Sequence, residues 1–571
     1  MRQGRGAARG RRLVLFWMVF SCGAALPAGA QDHGLADREA LRQQERERAL
    51  RQREERGADV RLKRGVEAFE RLPSRESPCF PIQRIVLEGE ASERFGWALK
   101  AADPAGDPAR GRCLGTQGVN VVLKRVQNAI IARGWVTTRV LAAPQDLKSG
   151  VLALTLVPGR IGGVRLDAAS APQAGLRTAV PARPGALLNL RDIEQALENF
   201  QRVPTVRADI QIVPTQGEAG LPGQSDLLIA WGQRGRVRSH LSLDDAGSRA
   251  TGKLQAGATL SLDNGLHLND LFYVNLGRGV FNGGGRETSS WTVHYDLPYG
   301  YWLLGATAGG YEYGQTVAGA YESYVYSGTS GNAELRVDRL LLRDADSKTG
   351  VHARGWLRRS NSFIDDTEVL VQRRRTAGWE LGVSHKRFLA AGALDLGLAY
   401  RRGTGAFGAL HAPEEAFGEG TSRSGVILAN AQWGMPLRWG GQRLRYAASW
   451  RGQWNRTPLV QQDHFAIGGR YSVRGFDGES SLSGARGWWL RNDLGLALGG
   501  GQELYLGADY GRVGRTGSQR LPGGHLAGAV VGLRGGWRGL YWDGFVGAPI
   551  HATAGFPASG TVLGFSLGGS H

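Results

Sequence analysis

The sequence predicts an all-β transmembrane barrel of about sixteen antiparallel strands, carried behind an N-terminal helical segment and two small α+β modules. Three observations predict it. Past about Arg236 the apolar residues recur at every second position: Leu254, Ala256, Ala258, Leu260 and Leu262 alternate with Lys253, Gln255, Gly257, Thr259 and Ser261 before Asp263-Asn264-Gly265 turns the chain. The roughly 335 residues that remain hold about sixteen strands at about 20 residues per strand and loop, enough to enclose an aqueous pore. Among the 16 Trp and 15 Tyr, many fall near strand ends of this region, where they suit a membrane headgroup boundary and where a soluble sandwich has no need of them.

Composition narrows the alternatives. The formal charge of +19 would fit a nucleic-acid partner, but the arginines are spread along the chain rather than gathered in one patch, so none is expected. Mean hydropathy is negative, and past the first thirty residues no apolar run approaches the ~20 residues of a spanning helix. A helical membrane protein is excluded on that ground, whereas barrel strands are only half apolar.

Residues 1–30 read as a secretory signal, with Arg2, Arg5, Arg9, Arg11 and Arg12 as the basic region and Leu13 to Phe20 as the apolar one. Ala28-Gly29-Ala30 supplies small residues for cleavage between Ala30 and Gln31. A lipoprotein signal at Cys22 fits poorly after Phe20 and Ser21. Residues 31–57 are rich in the helix formers Arg, Glu, Gln, Ala and Leu, and Gly57 can end the helix. Leu35, Leu41 and Leu50 form no stripe, so this helix cannot dock by apolar burial, and a solvated charged segment is the alternative. Residues 58–78, with Pro73 and Pro78, read as a linker.

Residues 79–158 run strand, helix, helix, strand, strand: a strand near Ile82 to Leu87, helices over Phe95 to Ala101 and Val119 to Ala132, and strands over Thr137 to Leu141 and Val151 to Val157. In an exported chain Cys79 and Cys113 are expected to form a disulfide, because Cys22 leaves with the signal. Residues 159–234 repeat the order, with strands at Arg160 to Leu166, Val206 to Val213 and Leu227 to Trp231 and an amphipathic helix at Arg191 to Phe200. Such modules leave sheet edges to which an extended chain can add through main-chain hydrogen bonds.

Within 235–571, Leu444, Tyr446, Ala448 and Trp450 would face lipid, which turns Arg443, Arg445 and Arg451 into the lumen as a basic face favouring anions. The stretch around 463–485 is different, because DHFAIGGRYSVRGFDGES is neither strand nor ordinary polar loop and must fold back onto something. In LYLGADYGRV, Leu504 and Leu506 share one face and Gly507, Asp509 and Gly511 the other. If the Leu face meets lipid, Asp509 points inward between two residues without side chains, where the Arg474 guanidinium can reach it in two-point geometry. Asp493 is a second candidate by the same parity. No catalytic pattern occurs, whether G-x-S-x-G, H-E-x-x-H or a Walker loop, and the eleven His show no ligand spacing, so no enzyme, metal or cofactor is expected.

Val473-Arg474-Gly475-Phe476 followed by Gly507-x-Asp509-x-Gly511 resembles the paired signature of the two-partner secretion transporters (TpsB) of the Omp85 superfamily, closest to the filamentous-haemagglutinin type. The resemblance implies an extracellular loop folded into the pore, an N-terminal helix that plugs it, a linker that lets the plug leave, and two periplasmic POTRA modules, whose helix-to-strand turn Gly134-Trp135-Val136-Thr137-Thr138 resembles. It further implies a monomer in the bacterial outer membrane, surrounded by its lipid and inserted by the barrel-assembly machinery. The client would be a large unfolded exoprotein, passed to the surface without ATP. Barrel-assembly relatives, with more modules and no plug, and outer-membrane hydrolases are the alternatives. One departure is the ending: the last aromatic is Phe565, six residues before His571, so the closing strand ends early or its insertion signal is displaced inward.

Overall fold

The computed structural model describes residues 35–55, 57–62, 69–215, 223–283, 286–318, 321–514 and 524–571; the expected signal and its cleavage site at Ala30 and Gln31 lie outside them. The N-terminal helix spans Leu35–Glu54, with Asp37 in its first turn and Arg51 and Arg53 in its last, which complements the helix dipole.

In the first module the helix Thr116–Ala132 lays Val122, Val126 and Ile130 against Leu152, Leu154 and Leu156 of the strand Val151–Val157. That strand is central, parallel to Arg84–Glu88 and antiparallel to Arg139–Leu141. Cys79 and Cys113 are bonded, which ties the entry of the module to the start of this helix. The second module repeats the plan, with Gln224–Gln233 between Arg160–Leu166 and Val206–Pro214. Its helix Leu190–Gln201 buries Ile193, Ala196, Leu197 and Phe200, and the Asn189 side chain caps it by accepting from Arg191 N–H at 2.8 Å.

Sixteen antiparallel strands, from Val237–Asp244 to Val562–Ser570, close into a barrel. The last strand pairs with the first, Ser566 opposite Asp244 and Ser570 opposite His240. Period-two sequence becomes two-faced wall: Leu504 and Leu506 are exposed on the outside, whereas Tyr505 and Asp509 between and beyond them are buried inside. Trp439 and Trp537, both exposed, stand at hairpin turns on one rim, at headgroup height. The closing strand runs on to Ser570, so it does not end early; Phe565 lies within it.

The modules meet the barrel at that same rim. Asn199 donates to the Gly300 carbonyl at 2.8 Å, Gly300 N–H donates to Thr178 O at 2.8 Å, and Arg202 pairs with Asp296. The described parts of the expected linker, residues 58–78, are docked on both modules. Val60 and Leu62 N–H donate to Glu198 and Glu194 of the second module at 2.9 and 2.8 Å. Leu72 is buried in the first, and Glu76 caps the helix Thr116–Ala132 by accepting from Gly115, Gln117 and Gly118 N–H.

Candidate translocation pore and its inward loop

The loop enters the lumen from the rim opposite the modules. Its stem is a short antiparallel pair, Phe465–Ile467 with Leu482–Gly484. Phe465, Ile467, Val473, Phe476 and Leu482 bury themselves with Val513 and Leu526 of the wall and with Phe556. Phe476 meets Phe556 edge-on, ring centroids 5.7 Å apart. An apolar cluster inside a polar lumen holds the loop by burial, leaving its one buried charge to choose the position.

That charge is Arg474, 3% exposed. Its backbone N–H and Nε donate to Asp509 Oδ2 at 2.9 and 2.7 Å, and Nη2 donates to Asp509 Oδ1 at 2.8 Å. Nη2 also donates to Asp493 Oδ1 at 2.6 Å, so the two acids are joint partners rather than alternatives. Asp493 and Asp509 lie on adjacent strands, Asp493 opposite Gly507, which brings both carboxylates to one guanidinium. Arg491 donates to the Arg470 carbonyl at 3.0 Å, and Arg470 reaches Asp245 and the Phe565 carbonyl at 2.9 and 3.1 Å, tying the loop to the seam where the barrel closes.

Glycines make the room. A Cβ on Gly507 would lie 2.6 Å from Arg474 Nη2, and one on Gly511 2.8 Å from a Val473 methyl. Two further wall positions escaped the sequence reading. A Cβ on Gly528 would lie 1.9 Å from the Arg474 carbonyl oxygen, and one on Gly547 3.1 Å from Gly475 Cα. Gly475 itself has φ +97°, and its own Cβ would strike the Ala548 carbonyl at 2.5 Å. The available signal was parity: in HLAGAVVG, Leu526, Gly528 and Val530 share a face, and that face is buried.

The N-terminal helix stands in the lumen beside this loop. Arg42 Nη2 donates to the Gly478 carbonyl at 2.8 Å, coupling helix to loop. Glu39 accepts from Tyr311 Oη at 2.7 Å, Glu47 from Asn332 at 2.8 Å, Glu55 from Tyr273 Oη at 3.2 Å, and Arg51 pairs with Glu334. A helix polar all round suits this wall, which offers partners on every side. At 20 residues and about 1.5 Å per residue it matches the ~30 Å hydrocarbon thickness around the barrel.

The expected basic face is corrected in part. Arg443 is exposed near the module-side rim. Arg445 is not free, because Glu503 accepts from its Nε and Nη2 at 3.0 and 2.9 Å and also pairs with Arg534. Gly495 permits this, since a Cβ there would sit 2.3 Å from Glu503 Oε1. Arg451 stands over the Phe465 ring at 6.0 Å, in a cavity that Glu45 and Arg48 of the helix also line. Parity reveals which residues face inward but not which acids lean across from a neighbouring strand.

A closed wall, a lumen filled by a polar helix and a pinned loop, and docking modules below its mouth define an outer-membrane transporter of the Omp85 type. Residues 223–535 match the family of haemolysin secretion/activation proteins ShlB/FhaC/HecB, residues 160–214 a POTRA domain and residues 80–159 a POTRA domain of the ShlB type. The chain belongs to this family, the TpsB transporters of two-partner secretion, with its barrel in the outer membrane and its POTRA modules in the periplasm. It is 35% identical over 521 residues, 88% of each chain, to the outer membrane transporter CdiB-2 of Burkholderia pseudomallei. It is 25% identical to the hemolysin transporter protein ShlB of Serratia marcescens, over 76% of each chain. The solved structure of CdiB from Acinetobacter baumannii superposes with a TM-score of 0.83 at 29% identity, covering 95% of this chain and 100% of that one.

Proposed function

We propose that the chain takes a large unfolded exoprotein from the periplasm and passes it through the barrel to the cell surface, without enzymatic activity or ATP. The client adds as an extended segment to open POTRA edges such as Arg84–Glu88 or Val206–Pro214, a mode that tolerates many sequences. The N-terminal helix then leaves, and folding outside the cell supplies direction by withdrawing the unfolded form. The observation that carries this reading is the way the lumen is filled: the described helix contacts with the wall are hydrogen bonds and ion pairs that water can replace, whereas the loop is held by an apolar cluster and a buried arginine. The helix is the part built to move and the loop the part built to stay. Arg474, Asp493 and Asp509 keep the channel in a transport-competent shape. The chain acts as a monomer, in contact with outer-membrane lipid after insertion by the barrel-assembly machinery.

Deleting the chain from a strain that makes a large exoprotein, then restoring it, tests the reading. The exoprotein is expected to accumulate in the periplasm and to reach the medium again on restoration. Unchanged export from the deleted strain overturns it.

A further inference from the structure

A cleft of about 600 Å³ opens where the second POTRA module meets the rim of the barrel, with Arg177, Arg183 and Arg191 on the module side and Trp302 and Arg339 on the barrel side. The barrel side sets its height relative to the membrane. Leu335, Val337 and Arg339 occupy alternate positions of the strand Ser323–Arg343, and Leu335 and Val337 are exposed on the lipid face, so Arg339 follows them toward the periplasm, just before the bulge at Leu341. Its cross-strand partner is Trp302, 40% exposed, and its guanidinium lies 4.7 Å from that ring. A cation stacked on an exposed aromatic just below apolar lipid-facing residues marks headgroup level.

The module side adds two guanidinium groups that no carboxylate of the described residues neutralises. Among the described residues, Arg177 and Arg183 are exposed and have no carboxylate partner. Arg191 is buried; its Nη1 donates to Glu194 at 2.6 Å, and its Nε has no partner among the described residues. The acid in the lining is Asp192, already engaged by the Tyr301 hydroxyl.

We propose that this cleft binds the phosphodiester headgroup of an anionic phospholipid of the periplasmic leaflet. Unpaired guanidinium groups recognise the phosphate, and the acyl chains continue along Val337 and Leu335, which a free phosphate ion would leave uncovered. A lipid seated there bridges module and barrel, so the second module is held at a fixed height on the membrane by lipid as well as by protein contacts. This site is independent of what the transporter carries.

The test uses the full chain in neutral detergent, with native mass spectrometry after addition of short-chain phosphatidylglycerol, phosphatidylcholine or inorganic phosphate. The wild type is expected to retain one phosphatidylglycerol in preference to phosphatidylcholine, with inorganic phosphate a poor competitor. Arg339→Gln and the double variant Arg177→Gln/Arg183→Gln are each expected to weaken retention about tenfold. Arg339→Lys restores much of it, and Arg94→Gln, an exposed charge on the first module, changes nothing. Heat-modifiable gel migration verifies that each barrel is folded; should the double variant misfold, Arg339→Gln, on the outer wall, decides alone. Wild-type retention by Arg339→Gln, equal retention of phosphatidylcholine, or displacement by equimolar inorganic phosphate overturns the proposal.

Discussion

Arg474 reaches Asp509 through three hydrogen bonds, from its backbone N–H, Nε and Nη2, and spends the same Nη2 on Asp493 as well. The loop is thereby fixed in rotation as well as in depth. Arg474→Ala removes the cation that both carboxylates share and leaves Asp509 only the longer contact to Arg491 at 3.9 Å and Asp493 the one to Arg534 at 3.4 Å, a local cost of about 3 kcal/mol that falls on loop docking rather than on the strand ladder. The expected outcome is a folded, heat-modifiable barrel with exoprotein export reduced at least tenfold, read as the ratio of exoprotein in medium and periplasm. Exchanging Arg474 with Asp509 should restore more export than exchanging it with Asp493, because two of the three side-chain bonds go to Asp509.

Gly528 makes the same point from the wall. A methyl there meets the Arg474 carbonyl at 1.9 Å, with backbone on both sides of the clash, so neither can give by side-chain rotation. Gly528→Ala is therefore expected to mimic Arg474→Ala in export while retaining every charge. Normal export by this variant would show that the loop does not need to rest on that strand.

Removing residues 35–55 should raise conductance in planar bilayers several-fold, with a preference for anions, since Arg451 loses the company of Glu45. Equal conductance with and without the helix would mean that the loop alone closes the pore.

The linker's hold on the first module should depend on pH. The Leu72 N–H, donating at 2.9 Å, is the largest influence on Asp107; burial opposes it, and Arg125 and Arg112 add to it, so the carboxyl is held below the usual range. A depressed folded pKa contributes stability that is present above the ordinary aspartate value of about 3.9 and lost as pH falls through the lower folded value. Hydrogen exchange at the Leu72 amide of the full chain should stay slow from pH 7 to about 4 and lose protection below that. Asp107→Asn should remove the pH dependence.

What was legible in the sequence was what period two controls. Alternation in LYLGADYGRV places Asp509 inward wherever the strand lies, and an inward acid between glycines asks for a cation. Parity turns Gly528 inward, but its role and that of Gly547 were not legible, because they depend on which strands lie beside Gly507 once the sheet has closed. The pairing of Arg445 with Glu503 was hidden for a similar reason, since it crosses a strand at a glycine. The helix could be predicted as a helix but not docked, because ion pairs leave no stripe in a sequence as apolar burial does. The docked linker was missed because its contacts at Val60, Leu62 and Leu72 are made by backbone N–H groups, which every residue but proline carries.

The helix stands with Glu39 near Ser248, at the far end of the lumen, and Glu54 near Arg238 beside the modules, where the chain continues into its docked linker. It is thus a cork on a string fastened from below. Pulled toward the periplasm, it uncovers the outer mouth first and the inner mouth last, against the direction of cargo. On the proposed route the stopper is drawn aside before threading starts rather than pushed out ahead of the client, and the handle is the segment already lying across the second POTRA module.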